Sequence, residues 1–164
     1  MLDLEQGSLA YFTNRPSSPQ WSGFLRAFAQ ELTAQMPAAE SRAFCRLLGQ
    51  RWARENPLPE AARLGDLETV VNQWLAARDW GWVSIRDLQS SLEFQHSCSP
   101  LRQAFGTEGW AWSVGLLEGL YTQWARQFGA GDGLVVRQVG SVEGVVDTLR
   151  LRLAPQAHFS INAR

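Results

Sequence analysis

Three features of the sequence predict an α+β fold. Three apolar stripes at helical spacing fill the first half of the chain. The pattern then changes to aromatic and β-branched residues at Trp80-Gly81-Trp82-Val83-Ser84-Ile85. Near the end, Leu149-Arg150-Leu151-Arg152-Leu153 alternates strictly, as a strand with one buried face does. Helices grouped apart from strands mark the α+β class. At 164 residues the chain suits one ordinary domain.

Each element has its own signal. Residues 1–17 read as an arm ended by Thr13-Asn14-Arg15-Pro16-Ser17-Ser18-Pro19. Ser18 is placed to cap the first helix, with Pro19 at its first position. Trp21, Phe24, Leu25, Phe28, Leu32 and Met36 share one face of that helix. Pro37 stops it and can start the next, which carries Phe44, Leu47, Leu48 and Trp52, with Arg42, Arg46 and Arg54 elsewhere on its surface. Asn56-Pro57-Leu58-Pro59 ends the second helix. Leu64, Leu67, Val70, Val71, Trp74 and Leu75 trace the third.

The Trp80 strand is followed by a second, in which Leu92, Phe94 and His96 alternate with Glu93, Gln95 and Ser97. Ser99-Pro100 breaks it, and Leu101 to Gly109 is expected to include a loop. One long apolar helix is expected from about Trp110 to Phe128, with Leu117, Leu120, Tyr121, Trp124 and Phe128 on one stripe. Gly129-Ala130-Gly131-Asp132-Gly133 caps it and turns into a strand, Leu134 to Val139. A last strand spans roughly Val145 to Leu153. The expected sheet is small and mainly antiparallel. The domain runs over residues 18–154, and 155–164 form a short tail.

Composition excludes several functions. Fifteen basic against sixteen acidic residues leave a net charge of −1, without the basic excess that phosphate neutralisation in nucleic-acid binding needs. Every basic residue is Arg, so Schiff-base chemistry and Walker-type nucleotide binding are excluded. Two cysteines, Cys45 and Cys98, cannot build a disulfide framework, and Cys45 reads as a small core residue. The opening Met1-Leu2-Asp3-Leu4-Glu5-Gln6-Gly7 does not resemble a secretory leader, and no apolar run reaches membrane-spanning length. A reducing cytosol is the expected compartment.

Catalytic motifs are scarce. His96-Ser97-Cys98 could be half of a metal site, but no second pair has ligand spacing; His96 reads instead as a partly exposed strand histidine. The glycine cluster at 129–133 runs helix to strand, the wrong order for a phosphate loop. Glu118 lies in the most apolar segment and is expected to be partly buried and paired with an Arg. No metal or cofactor is expected. Trp21, Trp52 and Trp74 fit a core. Trp80, Trp82, Trp110, Trp112 and Trp124 exceed what one core of 18.4 kDa should hide, which suits a subunit interface or a surface that stacks sugar rings.

Asp79-Trp80-Gly81-Trp82-Val83, followed by Leu116-Leu117-Glu118-Gly119-Leu120-Tyr121-x-x-Trp124, resembles the D subunit of proteobacterial cellulose synthase, an accessory protein of cellulose biosynthesis. The likeness spans roughly residues 21 to 153; the arm before Pro19 and the tail after Pro155 have no matched counterpart. It implies a non-enzymatic accessory subunit of cellulose export. Such subunits pair and assemble as a tetramer of dimers, a ring-like octamer whose passages accept or organise β-1,4-glucan. The implied partners are the synthase complex and a proline-rich scaffold protein. The implied placement is beneath the synthase on the cytoplasmic side, with the periplasm as the alternative. By this likeness Leu117, Leu120, Tyr121 and Trp124 belong to the core or a dimer contact that Gly115 and Gly119 let close. Trp80, Trp82 and Glu118 are further interface or glucan-proximal candidates. Two other classes compete: a small-ligand sensor with an apolar pocket, and a glucan-acting enzyme built on Glu118.

Overall fold

The computed structural model describes residues 18–141 and 147–160. The arm at 1–17 and residues 161–164 lie outside these, as does the start expected for the last strand. The described chain holds α1 (Pro19–Gln35), α2 (Ala38–Glu55), α3 (Leu64–Ala76), β1 (Trp82–Asp87), β2 (Leu92–Ser97), α4 (Leu101–Ser113), α5 (Gly115–Gln127), β3 (Leu134–Gln138), β4 (Leu149–Pro155) and α6 (Gln156–Ser160). This is the α+β class. The strands form one antiparallel sheet in the order β1-β2-β4-β3. Among the described residues, no helix is long and apolar enough to cross a membrane.

Alternation sets the sheet's inner face. Val83, Ile85, Phe94, His96, Val136, Leu149, Leu151 and Leu153 are buried. α5 lies over that face with Leu117, Leu120, Tyr121 and Trp124 at most 2% exposed. Burying a side chain of this size contributes about 2–3 kcal/mol. α2 then packs on the other side of α5.

Both edges of the sheet are closed by helix side chains with the same spacing. On β1, Val83 N–H donates to Asn72 Oδ1 at 2.8 Å, and Asn72 Nδ2 donates to Val83 C=O at 2.8 Å. Ile85 N–H donates to Glu68 Oε2 at 2.6 Å. On β3, Val136 N–H donates to Thr122 Oγ1 at 2.9 Å, and Gln138 N–H donates to Glu118 Oε1 at 2.9 Å. In each case residues four apart on a helix meet residues two apart on a strand. That spacing matches one helical turn against one strand repeat. Open strand edges invite pairing with other chains, and these are covered.

The structure corrects four expectations. The long helix is two helices, because the chain turns at Val114. Ser113 Oγ donates back to Trp110 C=O at 3.0 Å, a bond that bends helices. Leu101 to Gly109 is helical apart from Gly106: β2 ends before Ser99-Pro100, as expected, but Pro100 also starts α4, its carbonyl accepting Ala104 N–H at 2.8 Å. Gly106, at φ 73°, is not helical and divides α4 into two short helices across a kink.

Second, α1 shows its aromatic stripe to solvent, with Trp21 53%, Phe24 59% and Phe28 40% exposed. Only Ala29 of that helix is buried. Ser18 holds the N-cap position, but its hydroxyl makes no capping bond.

Third, α2 is inside out. Its buried residues are Ser41, Cys45, Gly49 and Ala53, while Phe44, Leu47 and Leu48 are exposed. The reason is the approach of α5. A Cβ on Gly49 would collide with Leu116 C=O, one on Gly115 with Arg42 C=O, and one on Gly119 with Arg46 C=O. Backbones this close leave room only for small side chains between them.

Fourth, the core holds the tryptophans well. Trp74, Trp112 and Trp124 are buried, and Trp52, Trp80 and Trp110 pack against the core. Only Trp21 and Trp82 are exposed.

Candidate functional site

Two polar clusters sit inside the α2–α5–sheet sandwich. The first surrounds Glu118, 1% exposed in the first turn of α5. Arg42 Nη2 donates to Oε1 at 2.6 Å and Arg42 Nε to Oε2 at 3.3 Å. Arg46 Nη1 donates to Oε2 at 3.1 Å. The backbone N–H of Gln138 completes the shell. Arg42 and Arg46 are one turn apart on α2, so both can straddle one carboxylate on the facing helix. The close glycine crossing brings them within reach.

Burial pushes the Glu118 carboxyl up. The two guanidinium groups and the Gln138 N–H more than reverse that, holding it below the ordinary carboxylate range. Nearby Arg137 has its pKa lowered by desolvation and by repulsion from Arg46 and Arg42, against the pull of Glu118.

The second cluster is a chain of neutral groups. His96 is 0% exposed, not partly exposed as the sequence suggested. Its Nε2 lies 2.8 Å from Trp80 C=O and its Nδ1 2.6 Å from Tyr121 Oη. One arrangement satisfies all three: Nε2–H donates to Trp80, and Tyr121 O–H donates to Nδ1. Burial drives the His96 pKa down to about 4, although the Trp80 carbonyl opposes this. Burial raises the Tyr121 hydroxyl well above its usual value. Both ring nitrogens are therefore occupied, and neither is available to a metal or a nucleophile. Cys45 is likewise held as a thiol, pushed up to about 11 by burial, with Arg46 pulling weakly the other way.

An aromatic train links the clusters to α3. Trp80 meets Trp52, Trp52 meets Trp74 and Trp74 meets Trp124, each edge-on at 4.9 Å. Tyr121 continues it, 5.9 Å from Trp124 and stacked on Phe94 at 4.9 Å. Edge-on pairs of this kind contribute about 0.5–1.5 kcal/mol each beyond area burial. Beside the train lies an apolar cleft of about 340 Å³, lined by Leu64, Leu67, Phe94, Tyr121, Trp124 and Leu153 among others.

The candidate residues thus separate. Gly115, Leu117, Glu118, Gly119, Leu120, Tyr121 and Trp124 lie inside the chain's own α2–α5–sheet packing. Trp80 is half-buried in the train, and Trp82, 39% exposed, is the outermost of the set. The sequence reading missed Arg42 and Arg46 as the partners of Glu118, saw Glu68 only as an acid suited to the N-terminal half of its helix, and missed Asn72 and Thr122 altogether. The spacing Arg42-x-x-x-Arg46 opposite Gly115-x-x-x-Gly119 was the available signal. Besides Trp82 and Leu88, the large apolar groups turned outward are Trp21, Phe24 and Phe28 on α1, and Phe44, Leu47 and Leu48 on α2.

These features define a class: a small α+β protein whose buried ionisable groups serve its own architecture. Residues 7–152 match the family of cellulose synthase D subunits, and the chain belongs to that family. The match begins within the arm that the resemblance had left without a counterpart. A protein of Komagataeibacter xylinus named cellulose synthase operon protein D is 28% identical over 131 residues, covering 77% of this chain and 84% of that protein. Its namesake from Komagataeibacter sucrofermentans matches with the same figures. A further Komagataeibacter xylinus protein of that name is 29% identical over 125 residues, covering 74% of this chain and 80% of its own length. Membership ties the chain to cellulose synthesis as an accessory subunit.

Proposed function

We propose that this chain is a non-enzymatic scaffold of cellulose synthesis and export. It assembles into a ring-like octamer, a tetramer of dimers, that organises synthase complexes or nascent glucan chains so that ordered cellulose is secreted. The observation carrying this reading is the outward display of large apolar side chains on two separate helices, α1 and α2. Contiguous apolar surface of this kind marks interaction sites. A ring of dimers needs two different contacts per subunit, one within the pair and one between pairs. The internal bonding of Glu118, His96 and Tyr121 supports a structural role for those groups.

The placement favoured is beside the synthase on the cytoplasmic side, with the periplasm as the alternative. Free thiols at Cys45 and Cys98 suit a reducing compartment. The partners in this reading are other copies of the chain, the synthase complex, a proline-rich scaffold protein and β-1,4-glucan.

A clean deletion in the native host tests the reading. The expected result is less cellulose, or less ordered cellulose, while isolated membranes keep their polymerising activity. Loss of that membrane activity would point to a catalytic role instead. A second reading, a small-ligand sensor, is favoured by the apolar cleft between α3, α5 and the sheet. A native mass spectrum showing a stoichiometric apolar ligand would support it, and protein-only masses would count against it.

A further inference from the structure

We propose that the outward face of α2 is a two-fold contact between copies of this chain, with Leu47 on the axis. This deepens the assembly reading above and rests on it. α2 sets small residues inside, against α5, polar Arg46 and Gln50 on one flank, and Phe44 47%, Leu47 64% and Leu48 45% exposed outside. Neighbouring large apolar side chains left exposed in this way mark an interaction surface. The inner cover is α5, and the outer cover is absent from the single chain.

Charge order selects the occupant. Glu40 stands at the start of the exposed stripe, and Arg51 and Arg54 at its end. Among the described residues, none of the three makes an ion pair within the chain. A second copy laid antiparallel about Leu47 places each Glu40 opposite Arg54 of the other, because both lie seven residues, or about 10 Å, from the axis. Phe44 of each copy then falls beside Leu47 and the aliphatic stem of Arg51 of the other. A parallel pair would set Glu40 against Glu40 and Arg54 against Arg54, so the stripe rejects that orientation. Glu55, the remaining charge near that end, stands about 80° round the helix from Leu47, between Phe44 and Leu48 and farther from the axis than Glu40 and Arg54, which stand about 20° from it. The other common way for a sheet protein to self-associate is strand addition. Here the outward N–H groups of Val83, Ile85, Val136 and Gln138 are already bonded to Asn72, Glu68, Thr122 and Glu118.

A residue on a two-fold axis faces its own copy. Leu47→Cys is therefore expected to form a covalent dimer under mild oxidation, whereas wild type and the exposed control Glu60→Cys are not. Sedimentation of Glu40→Arg or Arg54→Glu alone should show dimer affinity lowered by about tenfold, since two symmetric pairs become repulsive. The double variant Glu40→Arg/Arg54→Glu should recover it. All these positions are exposed, and far-UV circular dichroism checks that each variant folds. If the chain oligomerises but Leu47→Cys cross-links no better than Glu60→Cys and the double variant gives no rescue, this contact is wrong and the scaffold reading stands. A wild-type chain that sediments as a monomer at micromolar concentration overturns both.

Discussion

The two edges of the sheet solve one problem with different chemistry. At β1, Asn72 and Glu68 of α3 hold the outward groups of Val83 and Ile85 in a half-buried setting. At β3, Thr122 and Glu118 of α5, each 1% exposed, hold Val136 and Gln138. The burial difference decides what else is needed. Asn72 and Glu68 are partly wet and manage with the strand alone. Glu118 must carry a buried charge, so it recruits Arg42 and Arg46 from a third element. The β3 edge is thereby tied to α2 as well as α5, and removing its acid should disturb three elements at once.

The largest effect is expected from Glu118→Ala. It strands two arginines and an N–H, and should cost about 3–4 kcal/mol, read as a lowered urea midpoint. Acid tests the interior next. Folded His96 titrates near 4 rather than at 6.5, so its contribution is complete above pH 6.5 and is lost as pH falls from 6.5 toward 4. The loss should reach about 3 kcal/mol, since moving a pKa by one corresponds to about 1.4 kcal/mol. Glu118, also held low, adds its own loss below the ordinary carboxylate range. His96→Gln should flatten the upper part of that profile. Thr122→Val leaves the Val136 N–H buried without an acceptor and should cost about 1–2 kcal/mol. The matched change at the wetter edge, Asn72→Ala, should cost less, about 1 kcal/mol, because water can replace the amide. Glu68→Gln keeps an acceptor for Ile85 and should cost about 0.5 kcal/mol. If Asn72→Ala proved as damaging as Glu118→Ala, the contrast between the edges would fail.

Much of the fold was legible because it rests on periodicity. The α3 stripe, the alternation of β4 and the glycine turn after α5 all register locally. Gly129, at φ 93°, follows the helix, and Ala130 N–H bonds back to Ala125 C=O, as that turn requires. The burial of Glu118 and its pairing with Arg were also readable, from an acid set among Leu117, Leu120 and Tyr121. The outward face of α2 was not. Phe44, Leu47 and Leu48 have the spacing of a core stripe, and only the facing glycines on α5 reverse that assignment. Those glycines lie more than sixty positions downstream, beyond any window of helical periodicity. His96 was misjudged for the same reason. Its acceptor, Trp80 C=O, and its donor, Tyr121, come from opposite sides of the sequence.

The glycine crossing of α2 on α5 has one more consequence. Because α2 meets α5 through small residues and through Arg42 and Arg46, its exposed Phe44, Leu47 and Leu48 are uncoupled from the monomer's integrity. Substitutions there can retune which neighbour is accepted while the domain itself stays intact, so affinity for companions and internal stability can drift independently along a single rod.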